Sequence, residues 1–147
     1  MKILAVASGG GHWMELLRLL PAFEHEEVIF ASTKKCYKEM AAGFKFYAVP
    51  DTNRNKPLYS IYSFFKIFYV VVKVWPNVII STGALPGLIA LIIGKILGMR
   101  TIWVDSIANV DELSYSGKIA SKFADRTYTQ WPELASKNCL FHGNILS

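Results

Sequence analysis

Short segments that are apolar at every position recur along this sequence, and segments with helical spacing lie between them. The first apolar segment, residues 2–7, leads into a glycine-rich turn at residues 8–11, and a helical pattern follows over residues 13–20. Strands that are apolar throughout are buried on both faces, and such strands form parallel sheets covered by helices. The sequence therefore predicts an α/β fold with a parallel sheet.

The alternation of strand and helix continues along the chain without a low-complexity linker. The length of 147 residues is typical of one domain, so a single domain over residues 1–147 is predicted, with a sheet of about seven strands. The patterns predict strands at residues 2–7, 27–31, 44–49, 78–81, 101–105 and 126–129 and near Leu140, and helices at residues 13–20, 35–42, 58–75, 85–97 and 116–124.

Composition narrows the classes of partner. Hydrophobic residues make up 52% of the chain and charged residues 18%, which excludes disorder and leaves part of the surface apolar. The net charge of +5 favours anionic partners such as phosphates, diphosphates or acidic lipid head groups. Because the cations are scattered, nucleic acid is not expected. Cys36 and Cys139 suit reduced cytosolic thiols, and no secretion signal is expected at the N-terminus.

The glycine-rich turn at residues 8–11 joins a predicted strand to a predicted helix. Backbone N–H groups and the helix dipole at such a junction favour a bound anion, although a tight turn that needs positive φ explains the glycines equally well. The dinucleotide fingerprint is excluded because Met14 occupies the position of its third glycine, and a P-loop lysine does not follow. His12 could deprotonate a sugar hydroxyl, or it could cap the helix or bond a backbone carbonyl.

A second glycine turn, residues 81–87, also joins a strand to a helix. In a parallel sheet all strand-to-helix turns lie at one edge, so both glycine turns and the loop after Asp105 are expected to converge on one crevice. Asp105 is the acid best placed to point into that crevice as an alternative base. Capping of the following segment explains Asp105 equally well.

The predicted helix at residues 58–75 is unusually aromatic. Ser60, Ser63, Lys66 and Lys73 fall within an arc of about 140°, which leaves a wider apolar surface than one sheet contact requires. The helix is therefore expected to lie in a membrane interface, or else to be buried between the sheet and a neighbouring helix. The residues predicted to meet the membrane are Arg54, Lys56, Tyr62, Phe65, Phe68 and Tyr69.

Three segments carry a resemblance to a known family: SGGGHWMELLRLL, PNVIISTGALPGLIALIIGKILG and VDSIANVDELSYSGKIASKFADRTYTQWPELA. They resemble the oligosaccharide biosynthesis proteins that pair with a catalytic subunit in dolichol-linked N-glycan assembly, and their bacterial PssD-type relatives in exopolysaccharide synthesis. More distantly, the chain is similar to the amino-terminal half of MurG, a GT-B glycosyltransferase. Family members usually carry Glu at the position of Asp105, and eukaryotic members begin with a membrane-spanning helix that is not expected here.

The resemblance implies a Rossmann-like domain equivalent to the N-terminal half of a GT-B glycosyltransferase. It further implies that a separate small catalytic subunit binds the UDP-sugar, while this chain binds a polyprenyl-diphosphate-linked acceptor. The expected reaction is a metal-independent, inverting transfer with no cofactor, in which His12 is the base. The residues expected to bind the acceptor diphosphate are Ser8, Gly9, Gly10, Gly11, Gly83 and Gly87, and those expected to face the partner are Ser116, Trp131, Pro132 and Glu133.

The chain is accordingly expected to be the acceptor-binding, membrane-associating subunit of a heteromeric glycosyltransferase in capsular, exopolysaccharide or lipid-linked oligosaccharide biosynthesis. It is expected to be inactive alone and to lie peripherally on the cytoplasmic face of the membrane. The alternative is a non-catalytic scaffold that only recruits and activates the catalytic partner. A pure scaffold has no need of a histidine beside the first glycine turn.

Overall fold

The structure is a computed structural model that describes residues 1–52 and 55–146. The strands within these residues are β1 (Lys2–Ala7), β2 (Glu27–Ser32), β3 (Lys45–Ala48), β4 (Val78–Gly83), β5 (Arg100–Val104), β6 (Arg126–Thr129) and β7 (Leu140–Phe141). The helices are α1 (Gly11–Arg18), α2 (Tyr37–Met40), α3 (Pro57–Val74), α4 (Leu85–Ile96) and α5 (Tyr115–Ala120), with 3-10 helices at Leu20–Phe23 and Pro132–Leu134.

The strands form one sheet in the order β3-β2-β1-β4-β5-β6-β7, and every pair is parallel. The chain moves outward from β1 to β3 and then returns to the other side of β1, so the direction of winding reverses between β1 and β4. Ligands of open α/β sheets bind at this reversal, beyond the carboxyl ends of the strands. The predicted α/β fold with a parallel, seven-stranded sheet is confirmed.

Hydrophobic packing covers both faces of the sheet. Leu4 and Val6 of β1 pack with α3 and α4, whereas the intervening Ile3 and Ala5 pack on the face that holds α1. Trp13 is the largest side chain of the α1 layer, and it is fully buried. This alternation is the pattern of strands covered on both sides, and it explains why their sequences are apolar throughout.

Three predicted helices have different bounds in the structure. α1 begins at Gly11 and ends at Arg18, and a 3-10 helix that contains Pro21 follows it. Proline lacks the N–H that would continue an α-helix, which accounts for the change. The predicted helix 35–42 is reduced to α2, and the predicted helix 116–124 is reduced to α5, which begins where the Ser114 side chain accepts a hydrogen bond from Gly117 N at 2.9 Å.

Ser63 departs from the predicted polar arc of the aromatic helix. It is fully buried on the side of α3 that packs against α4 and the sheet. Its hydroxyl donates to Tyr59 O at 2.9 Å, one turn earlier, and this bond satisfies it inside the core. The polar side of α3 is therefore narrower than the sequence indicated, and the helix has one buried face and one exposed aromatic face.

Candidate functional site

Two glycine turns meet at the carboxyl ends of β1 and β4. Ser8 N donates to Gly83 O at 3.1 Å, and the Thr82 hydroxyl donates to His12 O at 2.6 Å. These bonds join the turn before α1 directly to the turn before α4. The predicted convergence of the two turns at one edge of the sheet is therefore present in the structure.

A cleft of about 540 Å³ opens beside the joined turns. Its walls are the loops that follow β1, β2, β3 and β4, together with the start of α5. Backbone N–H groups at the start of a helix favour an anionic ligand, and the cleft contains the start of α4 at Leu85 and Pro86. Its lining residues are Ser8, Gly9, Gly10, Thr33, Lys34, Asp51, Thr52, Ala84, Leu85, Pro86 and Ser116.

His12 lies between the two turns. The imidazole packs so closely on Gly83 that a Cβ at that position would come within 2.5 Å of His12 Nδ1. Gly83 also has φ of 131°, so glycine is required there for backbone and packing reasons alike. His12 Nδ1 is buried and finds no hydrogen-bond partner among the described residues. Packing against Gly83, rather than an acidic partner, therefore orients the ring.

The first glycine turn is braced by residues that the sequence analysis did not single out. Gly10 has φ of 74°, and its N–H donates to the Tyr37 hydroxyl at 2.8 Å. Gly9 lies under the aliphatic stem of Lys34. Tyr37 and Lys34 follow β2, and only the register of β2 beside β1 brings them to the turn.

Gly87, predicted to bind the acceptor diphosphate, is instead buried in the contact between α4 and β4. A Cβ at this position would lie 1.8 Å from Ser81 Oγ and 2.7 Å from Ser81 Cβ. Glycine is needed here for the close approach of helix to strand. Like Gly11 and Gly83, Gly87 is not among the lining residues of the cleft, and its diphosphate contact stays a prediction.

Asp105 does not point into the crevice. The residue is 2% exposed, and its carboxylate accepts hydrogen bonds from the side chains of Trp103, Asn109 and Ser114 and from Ser114 N, at 2.5 to 3.2 Å. These hydrogen bonds engage both carboxylate oxygens and hold the side chain inside the loop after β5. Asp105 thus holds Ser114, the residue that caps α5, while its role as an alternative base stays a prediction.

Glu15 is a buried carboxylate that the sequence analysis missed. It lies one turn after His12 on α1, is 7% exposed, and accepts hydrogen bonds from Ser106 Oγ at 2.8 Å and Ile107 N at 3.2 Å. Glu15 therefore fixes the loop after β5 to α1. The sequence signal that could have identified Glu15 is its position as an acidic residue within the apolar stripe of α1, beside Trp13 and Leu16.

Comparison with known proteins identifies the family. The profile described as "Oligosaccharide biosynthesis protein Alg14 like" matches residues 48–145. The chain belongs to this family. Its relatives include the UDP-N-acetylglucosamine transferase subunit ALG14 of Mus musculus, which is 27% identical over an alignment of 170 positions that covers 93% of this chain and 78% of the relative. The subunit of the same name from Yarrowia lipolytica is 27% identical over an alignment of 175 positions, which covers 99% of this chain and 81% of the relative.

Solved structures extend the likeness of this Alg14-like chain to larger enzymes. MurG from Acinetobacter baumannii superposes with a TM-score of 0.77 at 11% identity, over 96% of this chain and 45% of MurG. The spinosyn rhamnosyltransferase SpnG superposes with a TM-score of 0.63 at 14% identity, over 93% of this chain and 47% of SpnG. The chain thus spans slightly less than half the length of each enzyme. This likeness shows the fold, which matches the N-terminal half of MurG and other GT-B enzymes.

The exposed face of α3 carries nine of the 18 large hydrophobic side chains that are exposed among the described residues of this Alg14-like chain. Leu58 is 83% exposed and Phe65 62% exposed, and Tyr62, Phe68 and Tyr69 also face outward. By length and composition alone, α3 is the one described helix that could cross a membrane. Lys56 is exposed just before α3, and Arg54, the other predicted membrane cation, lies outside the described residues.

The four residues predicted to face a partner lie in different environments. Ser116 is half-buried and lines the cleft. The Trp131 indole donates to Ile107 O at 2.8 Å and so supports the loop after β5. Pro132 and Glu133 are exposed in the following 3-10 helix. Of the four, only Pro132 and Glu133 present open surface away from the cleft.

The other candidate sites among the described residues have less support. A depression of about 580 Å³ lies on the α1 face of the sheet, against Ile80, Ile102 and Val104, and its lining is mainly apolar. Among the described residues, no group of three or more His, Cys, Asp and Glu side chains could hold a metal ion. The cleft beside the glycine turns is therefore the candidate functional site.

Replacement of Gly87 by alanine tests its assignment to packing. We expect Gly87→Ala to lower the free energy of unfolding by about 1–3 kcal/mol, because the new methyl group would overlap the buried Ser81 side chain. Gly11→Ala is the matched control, since a Cβ there meets nothing within 4 Å and its stability should be unchanged or higher. Urea unfolding of both variants is the measurement. Wild-type stability of Gly87→Ala would contradict the assignment.

Proposed function

We propose that this chain is the acceptor-binding, membrane-associating subunit of a two-component UDP-sugar glycosyltransferase. Its acceptor would be a polyprenyl-diphosphate-linked saccharide in capsular, exopolysaccharide or lipid-linked oligosaccharide biosynthesis. The observation that carries the proposal is the combination, in one domain, of the cleft at the joined glycine turns with α3, whose outer face is exposed and aromatic. A lipid-linked diphosphate needs both surfaces at once.

The donor-binding half would belong to a partner. The fold corresponds to slightly less than half of each GT-B enzyme that it resembles, and its curated relatives are named as subunits of a UDP-N-acetylglucosamine transferase. In a two-domain transferase of this kind the active site lies between the domains, and the cleft at the carboxyl edge of the sheet would face the donor domain. The UDP-sugar would then be bound mainly by the partner.

In the proposed reaction, His12 removes the proton from the acceptor hydroxyl as that oxygen attacks the anomeric carbon of the sugar. The bond from that carbon to the UDP oxygen breaks with inversion, and UDP leaves. Because Nδ1 is enclosed against Gly83, Nε2 is the ring nitrogen available to accept the proton. Asp105, the alternative base, is less accessible because its carboxylate is buried and bonded on several sides.

The membrane surface would be the outer face of α3. Phe65 and Phe68 provide apolar rings. Tyr62 and Tyr69 add rings with a polar hydroxyl, a composition suited to the interface between head groups and acyl chains. Lys73 lies over the Tyr69 ring at 5.4 Å, and its hydrogen bond with Tyr69 raises the pKa of the ammonium group. It therefore stays charged at neutral pH and can attract acidic lipid. This peripheral contact would lie on the cytoplasmic face.

Reconstituted glycosyl transfer tests the proposed function. The purified chain should transfer no sugar from UDP-N-acetylglucosamine to a polyprenyl-diphosphate-linked acceptor, and activity should appear when the donor-binding partner is added. His12→Ala should lower turnover by the pair at least about a hundredfold, because a general base contributes roughly 10² to 10⁴ in rate. Assembly and membrane binding by the variant should be unchanged.

The scaffold alternative predicts a different outcome. A fully active, normally assembled His12→Ala pair would show that this chain recruits the partner without contributing the base. Robust transfer by the single wild-type chain would contradict the two-component proposal itself.

Membrane association is tested by adding charge to α3. Phe65→Glu with Phe68→Glu should move the protein from vesicles to the soluble fraction, because both rings are exposed and carboxylates are repelled by an acidic membrane. Met40→Glu with Val110→Glu is the matched control, since these exposed apolar residues lie outside α3. Flotation on vesicles with acidic lipid measures binding, and circular dichroism checks folding. Undiminished flotation of a folded α3 variant would exclude this surface.

A further inference from the structure

Lys34 is held over the first glycine turn although it belongs to the loop after β2. A Cβ built on Gly9 would come 2.8 Å from Lys34 Cε and 3.1 Å from Cδ, so the aliphatic stem lies directly on the glycine backbone. Lys34 lines the same cleft as Ser8 and Gly10. The absence of a side chain at Gly9 is what allows the lysine to reach this position.

The aromatic rings of Tyr37 and Trp13 support the position of Lys34 beside the cleft. Its Nζ lies 6.0 Å from the centroid of the Tyr37 ring, within range of a cation–π attraction. The Tyr37 ring stacks on Trp13 at 4.9 Å with an interplanar angle of 10°, and Trp13 is fully buried. Because the Tyr37 hydroxyl also accepts the hydrogen bond from Gly10 N, one residue positions both the lysine and the turn.

The charge balance of the cleft depends on Lys34. Among the described lining residues the charged side chains are Lys34 and Asp51, and no salt bridge within that part of the chain involves Lys34. Of the described side chains that line the cleft, Lys34 is thus the cation available to an anion held by the turn.

We propose that Lys34 binds the diphosphate of the lipid-linked acceptor, with Tyr37 as its positioning residue. This inference rests on the proposed function for the identity of the ligand, whereas the anion site itself rests on the geometry of the cleft. A lysine is a mobile point charge that bonds phosphate oxygens well. Packing on Gly9 and Tyr37 restricts its motion before binding, which reduces the entropy lost when the ligand arrives.

Binding of inorganic diphosphate to the full chain, measured by calorimetry, tests the anion site. Lys34→Ala should raise the Kd at least about tenfold, as expected for loss of a charge-assisted hydrogen bond. Lys35→Ala is the matched control because Lys35 is the adjacent exposed lysine and does not line the cleft. Its Kd should stay within about twofold of wild type. Equal Kd values for wild type and Lys34→Ala would overturn the proposal.

Gly9→Ala tests the positioning of Lys34 without removing its charge. When Lys34 is present, the methyl group of Gly9→Ala should displace the lysine side chain and weaken diphosphate binding. In a Lys34→Ala background, the same substitution should have little further effect on the Kd. Independent, additive losses from the two substitutions would show that Gly9 does not act through Lys34.

Transfer by the reconstituted pair separates this inference from the proposed function. Lys34→Ala should raise the KM for the acceptor more than it lowers kcat. If the pair transfers sugar and the acceptor KM is unaffected, the Lys34 assignment is wrong and the proposed function stands. If diphosphate binding depends on Lys34 but no pair transfers sugar, the anion site stands and the proposed function is wrong.

Discussion

The hydrogen bonds between the two glycine turns are the constraint on which the candidate site depends. Ser8 N binds Gly83 O, and the Thr82 hydroxyl binds His12 O. These contacts close the sheet edge at the reversal between β1 and β4, and they fix His12 against Gly83. The cleft, the starts of α1 and α4, and the position of the imidazole all follow from them. A shift of either turn would change every part of the site together.

The fold and the place of the site were predictable because their signals are local. The apolar strands and the glycine turns at residues 8–11 and 81–87 can be recognised in single stretches of sequence, and parallel topology brings the turns together. The surroundings of Asp105 and Gly87 were not predictable, since they depend on which donors lie around a carboxylate and how closely a helix approaches a strand. Lys34 was missed because strand register, not sequence proximity, carries it to Gly9.

The loop that lines the cleft after β3 leads into α3. Asp51 and Thr52 line the cleft, and α3 begins a few residues later, at Pro57. One face of α3 packs into the core through Ile67 and Val71, so the orientation of its outer aromatic face is fixed relative to the cleft. A surface helix attached by a flexible linker would not give this relation.

The most direct test of the central claim, that this chain serves the acceptor and not the donor, is ligand binding by the purified wild-type chain. Calorimetric titrations with farnesyl diphosphate and with UDP-N-acetylglucosamine, under the same conditions, would compare the two ligand classes. The account predicts saturable binding of farnesyl diphosphate and no detectable binding of the nucleotide sugar over the same concentration range. Saturable binding of UDP-N-acetylglucosamine without binding of the lipid diphosphate would contradict it.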